Sequence, residues 1–600
     1  MSHGYIGKIL FIDLSTGAIR EEVLEEKMCR DFIGGYGFGA RILYSRQKAG
    51  VDPLGPENIL GLISGPLTGT PVPTGARYAA VAKSPLTGGW GDANSGGEFG
   101  PYLKFAGFDG VFFTGISPRP VYLLIDNGNA QLRDANYLWG KDTYDTEDIL
   151  MAEYGKESRI ACIGPGGEQL SLIASIMTDH GSALGRSGLG AVMGSKKLKA
   201  VVARGNNEIT LADKDAVLNL RKEHIKSWQT PERSFHPMHQ YGTSALTYES
   251  AHSGDSPVKN WGGIGVVDVP SRESLHPDTF ALRVERLSGC WHCPIACKAF
   301  MKAGDGEYKY PAGSRRPEYE TAAAFGVNCA NNHRESISMA NDICNRAGID
   351  TISTGTAVGF AIELYENGIL TNRDTDGIEL KWGSHPAIIA LTEKIAKREG
   401  IGEVLADGVK IAAEKIGKGA EKFAVHIGGQ ELGMHDPRLP RLDVPVAARY
   451  QMDATPGRHT AGFGPSGFRT HIANAAGVCF FGGLNYGTPE GDRLLVGYIN
   501  AVNGWNYTLD ELLKSGERIA NLRHAFNLRE GINELKWSVH PRIVGKPPQT
   551  VGPLAGVTAD IEAQVYWNLG AMDWDRLTTK PSKAKLLSLG LDDVVKDLWP

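Results

Sequence analysis

The sequence lacks the features of several large protein classes. In its 600 residues, no apolar run reaches the roughly 18 residues that a membrane-spanning helix requires. Cysteine is scarce, at 8 residues, which excludes a disulfide scaffold. Neither sign of charge dominates, since 63 Lys and Arg face 68 Asp and Glu for a net charge of −5. We therefore expect neither nucleic acid nor an anionic membrane as a partner.

A targeting segment is not recognisable at the start of the sequence. Lys8 and Asp13 flank a short β-like run, and no small-residue cleavage site follows an apolar stretch. This pattern predicts a cytoplasmic protein. In a reducing compartment, clustered thiols indicate metal binding rather than disulfides.

Glycine is the residue in excess, at 76 of 600. The excess has no period, which excludes collagen, and it is clustered at 34–37 and 95–97, where the backbone can approach a ligand closely. The loops at 35–39 and 185–190 resemble fragments of nucleotide-binding loops. They have neither the spacing of a dinucleotide fingerprint nor the G-K-[ST] of a P-loop, so we do not predict a nucleotide site.

Strand patterns are concentrated in the first two hundred residues. Two apolar runs that end in turn residues, 9–14 and 121–125, predict hairpins, and four further runs predict strands. These four runs are 59–63, 78–81, 111–113 and 200–202.

Helical periodicity replaces the strand patterns after a break near 205–207. Thr210 and Asp213 form a capping signal for the first helix, and apolar residues recur at helical spacing over 388–395. A further helix is predicted over 404–416. The fold class is therefore α+β, with a β-rich cofactor-binding domain at 1–208 and two mainly α-helical domains at 209–417 and 418–600.

The strongest local signal is a run of three cysteines, Cys290, Cys293 and Cys297. The C-x2-C and C-x3-C intervals are predicted to place three thiolates in one loop and the start of a helix, where they can hold three corners of an iron–sulfur cluster. Cys479, beside Gly477, is the candidate for the fourth corner.

Other interpretations of the cysteines are weaker. A zinc site needs a second ligand pair near the first, and the sequence offers only His292. Radical S-adenosylmethionine enzymes use the reverse order of the two intervals. The remaining cysteines have no partner at ligand spacing and are interpreted as buried structural thiols; they are Cys29, Cys162, Cys329 and Cys344.

Several motifs, taken together and in this order, resemble the tungsten- or molybdenum-containing aldehyde ferredoxin oxidoreductase family over nearly the whole chain. Beside the cysteine run, they are IGGYG at 33–37, PTGAR at 73–77, GGWGDANSGG at 88–97, GRSGLGAVMGSK at 185–196, PEYET at 317–321, AGIDTIS at 347–353 and GVC at 477–479.

The resemblance implies a β-rich base for two pterin dithiolenes that hold one tungsten or molybdenum atom, with two helical domains covering it. It implies one 4Fe–4S cluster held by Cys290, Cys293, Cys297 and Cys479, and a magnesium ion between the pterin phosphates. Because the pterins supply the sulfur ligands of the metal, we expect no protein ligand to it.

The resemblance also assigns pterin contacts. Arg77 is expected between cluster and pterin, and Asn94 is expected to supply an amide oxygen to magnesium. The remaining pterin-binding positions are Gly96, Ala183, Gly185, Arg186, Asn345, Asp350 and Asn474. Asn345 and Asn474 stand where the family often has Asp, so they bring no charge. The alternatives are surface ion pairs for Arg77 and Arg186 and a turn role for Asn94.

Glu320 is the expected general base, and His459 the expected second catalytic group. Because residues two apart cannot point the same way, Glu318 is interpreted as a charge at a helix N-terminus or as a member of a structural ion pair. His435 is interpreted as structural. The alternative for Glu320 is that it braces a buried loop.

The function implied is oxidation of an aldehyde to a carboxylic acid, reversible with a low-potential donor. Electrons would leave through the cluster to ferredoxin or a small iron–sulfur subunit, in a homodimer or a hetero-oligomer. One alternative is the catalytic subunit of a dearomatising benzoyl-coenzyme A reductase. A remote one is a non-catalytic iron–sulfur electron carrier.

Overall fold

The computed structural model describes residues 3–229, 236–269, 271–439, 446–484 and 486–600. The strands are β1 Lys8–Asp13, β2 Ala18–Val23, β3 Leu60–Ser64, β4 Tyr78–Lys83, β5 Trp90–Ser95, β6 Gly110–Thr114, β7 Val121–Asp126, β8 Asn129–Asp134, β9 Ser158–Cys162, β10 Ile176–Thr178, β11 Ser182–Leu184, β12 Leu198–Arg204, β13 Val284–Ser288, β14 Lys298–Met301, β15 His426–Ile427 and β16 Gln430–Glu431.

Helices dominate the remainder of the described chain. They are α1 Glu26–Phe32, α2 Gly35–Arg46, α3 Phe99–Phe105, α4 Thr143–Tyr154, α5 Pro165–Glu168, α6 Leu189–Ser195, α7 Lys214–Ser227, α8 His236–Tyr241, α9 Thr247–Ser253, α10 Gly265–Asp268, α11 Pro277–Ala281, α12 Tyr319–Phe325, α13 Arg334–Ala347, α14 Thr351–Glu366, α15 His385–Lys397, α16 Ile401–Leu405, α17 Gly408–Ile416, α18 Val446–Met452, α19 Phe468–Ala476, α20 Pro489–Asn503, α21 Leu509–Arg529, α22 Ile561–Met572, α23 Lys583–Ser588 and α24 Asp592–Leu598. The predicted α+β class, with the β-rich part first, is confirmed.

Two six-stranded sheets form the N-terminal part. The first has the order β2-β1-β6-β3-β4-β5 and the second β11-β10-β9-β12-β7-β8. Both predicted hairpins are confirmed: Asp13 pairs with Ala18 across the first turn, and Asp126 with Asn129 across the second. The four further predicted strands are confirmed as β3, β4, β6 and β12.

Alternate residues of the first sheet belong to different hydrophobic cores, as the two-residue period of a strand requires. Leu62 packs in the core that both sheets share, with Leu123 and Val201 of the second sheet. Its neighbour Ile63 packs in a core that includes Ile472 of α19. Burying such a side chain contributes roughly 1.5–3 kcal/mol. The C-terminal helices are therefore fixed on the outer face of the first sheet, which brings α19 close to β5.

Three predicted details are wrong. The first helix after the break begins at Lys214 with Asp213 as its N-cap, because the backbone N–H groups of Ala212 and Asp213 pair with α20 instead. The predicted helix over 404–416 is divided between α16 and α17, where Gly408 has a φ of +83°. Cys297 leads into strand β14 rather than a helix, since Lys298 pairs with Ser288.

Candidate functional site

The three clustered cysteines lie in the connection between β13 and β14. The N–H of Cys293 donates to the carbonyl of Cys290 at 3.0 Å, which curls the loop around its thiols. Trp291 packs edge-on against Phe105 at 5.2 Å between ring centroids. Arg316 donates to the carbonyl of Cys297 at 2.7 Å. The loop is thus held at both ends against the rest of the molecule.

The fourth cysteine reaches the same place through the end of α19. Gly477 ends this helix with a φ of +86°, and a Cβ there would lie 2.0 Å from Thr68 Oγ1. Its carbonyl accepts from the N–H of Arg77 at 2.9 Å, and the N–H of Cys479 donates to Thr74 at 3.2 Å. Glycine is required at 477 because both the conformation and the close approach exclude a side chain.

Arg77 is surrounded by the cysteines. Burial disfavours its charged form, yet the charges of Cys479, Cys290 and Cys297 outweigh burial and raise the pKa of Arg77. A Cβ on Gly96 would lie 2.7 Å from the Sγ of Cys290. The structure therefore brings the four predicted cluster ligands, Arg77 and Gly96 together, and the charged neighbours of the partly buried Arg77 are these cysteines rather than a surface carboxylate.

The described thiols are not gathered at the spacing that a single zinc ion requires. Among the described residues, two groups of side chains have metal-ligand atoms all within 4.8 Å of one another, and neither includes a cysteine. Tetrahedral zinc with bonds of roughly 2.3 Å holds its sulfurs about 3.8 Å apart. Burial raises the pKa of the Cys293 thiol to about 12, with Cys290 and Cys479 adding to the effect, so cations are needed to keep these sulfurs ionised.

The other four cysteines are buried in hydrophobic surroundings, in agreement with the structural interpretation. Burial raises the pKa of each thiol.

Asn94 and Asn474 meet although 380 positions separate them. Asn94 Nδ2 donates to Asn474 Oδ1 at 3.4 Å, and Asn474 Nδ2 donates to the Tyr36 hydroxyl at 3.4 Å. Asn94 lies within β5, paired with Ala79, so the turn interpretation is wrong. The Tyr36 hydroxyl continues the chain to His471 Nδ1 at 2.7 Å.

A second set of predicted pterin contacts assembles around α14. Arg186 Nη1 lies 2.8 Å from Asp350 Oδ2, and both residues are buried, so the surface ion pair is excluded. Asp350 also caps α14 by accepting from the N–H of Ile352. A Cβ on Gly185 would lie 3.9 Å from Asp350 Oδ1. Ala183 lies two residues before Gly185, in β11, where it pairs with Met177.

Arg315 lies beside these predicted pterin contacts, and sequence reasoning missed it. Its Nε donates to the His180 carbonyl at 2.9 Å, while its buried Nη1 and the buried Tyr144 hydroxyl make no hydrogen bond within the described chain. A Cβ on Gly181 would lie 3.0 Å from that hydroxyl and 3.1 Å from Asn345 Nδ2. Unsatisfied buried donors beside a predicted pterin contact fit a ligand rich in acceptors. The only sequence signal is the Arg pair before Pro317.

Glu320 lies in the first turn of α12 and is partly buried. Its Oε2 accepts from the N–H of Met434 at 2.8 Å. Its Oε1 lies 3.1 Å from His459 Nδ1 and 3.5 Å from His435 Nε2, yet makes no hydrogen bond with a described residue. Burial raises the pKa of Glu320, although His435 and the Met434 N–H oppose this.

The two imidazoles have different electrostatic surroundings. Burial lowers the pKa of His459 well below its usual value, and Arg458, together with His435 whenever that imidazole is protonated, lowers it further. His435 was interpreted as structural, but its Nε2 faces Glu320 while its Nδ1 lies 2.8 Å from Asp255 Oδ2. Sequence reasoning missed Asp255. Glu318 occupies the N-cap position of α12 and accepts from Thr243, as its interpretation requires.

A helix long and apolar enough to cross a membrane does not occur in the described ranges.

Two family models match the chain. The N-terminal domain of aldehyde ferredoxin oxidoreductase matches residues 9–205, and domains 2 and 3 of the same family match residues 219–591. The tungsten-containing aldehyde ferredoxin oxidoreductase of Pyrococcus horikoshii is 35% identical, covering 98% of this chain and 99% of its own. An aliphatic sulfonate oxidoreductase, WOR-like subunit, of Pyrococcus furiosus is 32% identical over 99% of this chain and 98% of its own.

A solved structure has the same fold. The active-site complex BamBC of benzoyl coenzyme A reductase with 1,5-dienoyl-CoA superposes with a TM-score of 0.85 at 24% identity, over 100% of this chain and 98% of that one. On the two family models and the identity with full-length relatives, this chain belongs to the aldehyde ferredoxin oxidoreductase family.

Proposed function

We propose that the protein oxidises aldehydes to carboxylic acids and passes the electrons to ferredoxin or a ferredoxin-like subunit. The observation that carries the proposal is the buried Oε1 of Glu320, which makes no hydrogen bond with a described residue and lies 3.1 Å from His459. A carboxylate oxygen held in this state can accept a proton from water. The name of the relative from Pyrococcus horikoshii supports tungsten and aldehydes.

The residues that would hold the cofactors are those the geometry brings together. Cys290, Cys293, Cys297 and Cys479 would hold a 4Fe–4S cluster, which suits their wide spacing. Asn94, Gly96, Ala183, Gly185, Arg186, Arg315, Asn345, Asp350 and Asn474 would line the pterins, and the amide oxygen of Asn94 suits magnesium. A bound tungsten bis-pterin would supply the two-electron acceptor that aldehyde oxidation needs.

The chain's own groups would activate water and stabilise charge. Glu320 Oε1 takes a proton from the attacking water, and burial raises the pKa of this carboxyl, which makes it a stronger base than an exposed glutamate. His459 stays neutral, because burial lowers its pKa, and its N–H donates to the charge that develops on the carbonyl oxygen. Arg77 lies against the cluster cysteines and would therefore lie on the electron path.

The test joins metal analysis to activity. Enzyme produced with tungstate, with molybdate and with neither should be assayed for metal content and for viologen reduction by a panel of aldehydes. We expect aldehyde-dependent reduction that tracks tungsten content. Full tungsten loading with reduction by none of the aldehydes would contradict the proposal. Iron without tungsten or molybdenum would favour a simple electron carrier.

The same panel includes benzoyl-coenzyme A and its cyclic diene product, because a dearomatising reductase is the alternative. The structural likeness to such an enzyme is at 24% identity and concerns the fold alone. Diene-dependent dye reduction in the absence of aldehyde turnover would select the alternative.

A further inference from the structure

The proton balance of the proposed reaction requires more than one acceptor, and the inference here rests on that reaction. An aldehyde and a water give a carboxylic acid, two protons and two electrons. The pterin-bound metal would supply the two-electron acceptor, and a one-electron acceptor protein would receive the electrons from the enzyme. Glu320 accepts one proton at a time, so it must pass the first proton on before it takes the second.

The neighbours of Glu320 offer one such recipient. We propose that His435, held by Asp255, takes the proton from Glu320 and so returns this residue to its carboxylate form within a turnover. His435 Nε2 lies 3.5 Å from Glu320 Oε1, and Nδ1 lies 2.8 Å from Asp255 Oδ2. An approach of roughly half an ångström brings the first contact into hydrogen-bond range.

The charges around the two imidazoles indicate which of them receives the proton from Glu320. His435 has a carboxylate on each ring nitrogen, which stabilises an imidazolium. His459 has one carboxylate but also faces Arg458, Arg186 and Arg449, which oppose a positive charge on its ring. The carboxylate on the far side of His435 also fixes the ring orientation, as in other carboxylate–imidazole pairs.

Side chains of two neighbouring helices, α12 and α18, help to fix the orientation of His435. From α12, the Tyr319 ring stacks on the imidazole with centroids 4.6 Å apart, and Glu320 faces Nε2. The ring of His459 lies 4.9 Å away. From α18, the Tyr450 hydroxyl donates to the His435 carbonyl at 2.9 Å. His435 acts through Glu320 and is therefore a positioning residue that also receives a proton.

The proton transfer is balanced at every atom. As the water oxygen bonds to the aldehyde carbon, one O–H bond breaks and an O–H bond forms on Glu320 Oε1. That bond then breaks as an N–H bond forms on His435 Nε2, with Asp255 as counter-ion. Glu320 is again a carboxylate when the second proton leaves the substrate, together with the two electrons.

The experiment compares His435→Gln and Asp255→Asn with His524→Gln in the tungsten- and iron-loaded enzyme. His524 is a matched control, because it is buried and lies 3.1 Å from the carboxylate of Glu534, away from the site. We expect kcat to fall roughly 10²-fold in His435→Gln with KM nearly unchanged. Asp255→Asn should show a smaller loss, and the control none.

A second readout does not depend on turnover. Infrared difference spectra at neutral pH should show a protonated carboxyl band in His435→Gln that is absent from the wild type and from the His435→Gln, Glu320→Gln double variant. Wild-type kcat in a fully loaded His435→Gln, or spectra without the new band, would overturn the proposal. An inactive wild type that nevertheless shows this pattern of bands would contradict aldehyde oxidation and leave the proton transfer supported.

Discussion

Arg186 and Asp350 form a buried ion pair, with Nη1 2.8 Å from Oδ2. The resemblance assigned Arg186 and Asp350 to pterin contacts in two separate motifs. The pair instead couples the loop after β11 to the N-terminus of α14, where Asp350 is the cap. The loop and the helix that are both expected to contact the pterins are therefore positioned by this one ion pair.

We predict that Asp350→Asn lowers tungsten content far more than iron content. Asparagine still caps α14, but Arg186 loses its counter-charge, and breaking a buried pair costs about 3–5 kcal/mol. Metal analysis and thermal unfolding measure the effect. Asp213→Asn, a change at the exposed cap of α7, is the matched control and should leave both metals unchanged. Full tungsten content in Asp350→Asn would show that Asp350 is not needed for pterin binding.

We predict that Cys479→Ala reduces iron content and the reduced-cluster electron paramagnetic resonance signal as much as Cys290→Ala does. The reason is that the GVC turn places Cys479 beside Arg77 and the other three thiols. Cys344→Ala is the control, because this thiol is fully buried in a separate hydrophobic cluster. Four irons and an unchanged signal in Cys479→Ala would show that another group is the fourth ligand.

Asn94→Leu is expected to lower tungsten and magnesium occupancy while iron stays largely intact. Leucine removes the hydrogen bond to Asn474 and leaves a phosphate-bound cation without an oxygen ligand. Asn94→Asp is the matched variant, because it keeps the shape and an oxygen acceptor. If Asn94→Leu retains full tungsten and magnesium, β5 does not serve the pterin phosphates.

How much the sequence could predict follows from which signals are local. The hairpins at Asp13–Ala18 and Asp126–Asn129 were predictable, since turn residues and alternation lie within a few positions. The cysteine run was predictable for the same reason. The strand at Cys297 was not, because short two-stranded pairing depends on its partner Ser288 rather than on local propensity.

The remaining site residues were not predictable because their role exists only after folding. Asp255 is separated from His435 by 180 positions, and the two carry no shared motif. Arg315 becomes a candidate only because folding brings both it and Asn345 next to Gly181. The resemblance to the family identified Glu320 and His459 as candidates, whereas Asp255 could be identified only from the tertiary structure.

Lys104 should make stability depend on pH. Its ammonium is fully buried and donates to the carbonyls of Gly4 at 2.6 Å and Thr68 at 2.9 Å. Burial lowers its pKa from 10.5 to about 8, so between these values the unfolded chain binds more protons, and stability rises with pH. The gain is roughly 3 kcal/mol, at 1.36 kcal/mol per pH unit.

The measurement is the difference in unfolding midpoint between wild type and Lys104→Met from pH 8 to pH 10. We expect the wild type to gain stability relative to Lys104→Met as pH rises. The unfolding midpoint of Lys27→Met, a change at an exposed lysine, should change with pH as that of the wild type does. A difference that is flat with pH would mean that Lys104 keeps an ordinary pKa in the folded protein.

The last prediction concerns the proposed base. Glu320→Gln removes the acceptor of the water proton but keeps the contact with the Met434 N–H through the amide oxygen, so cluster and tungsten should be retained. Turnover should fall roughly 10²–10⁴-fold, and His459→Ala should lose about as much.

Because burial raises the pKa of Glu320, the acid limb of kcat/KM in the wild type should lie above 4.5, the ordinary value of glutamate, with activity rising as pH increases through it. Glu318→Gln is the control, since Glu318 is at the N-cap position and contacts Thr243. Near-normal turnover across pH in a fully loaded Glu320→Gln would transfer the role of base to another group.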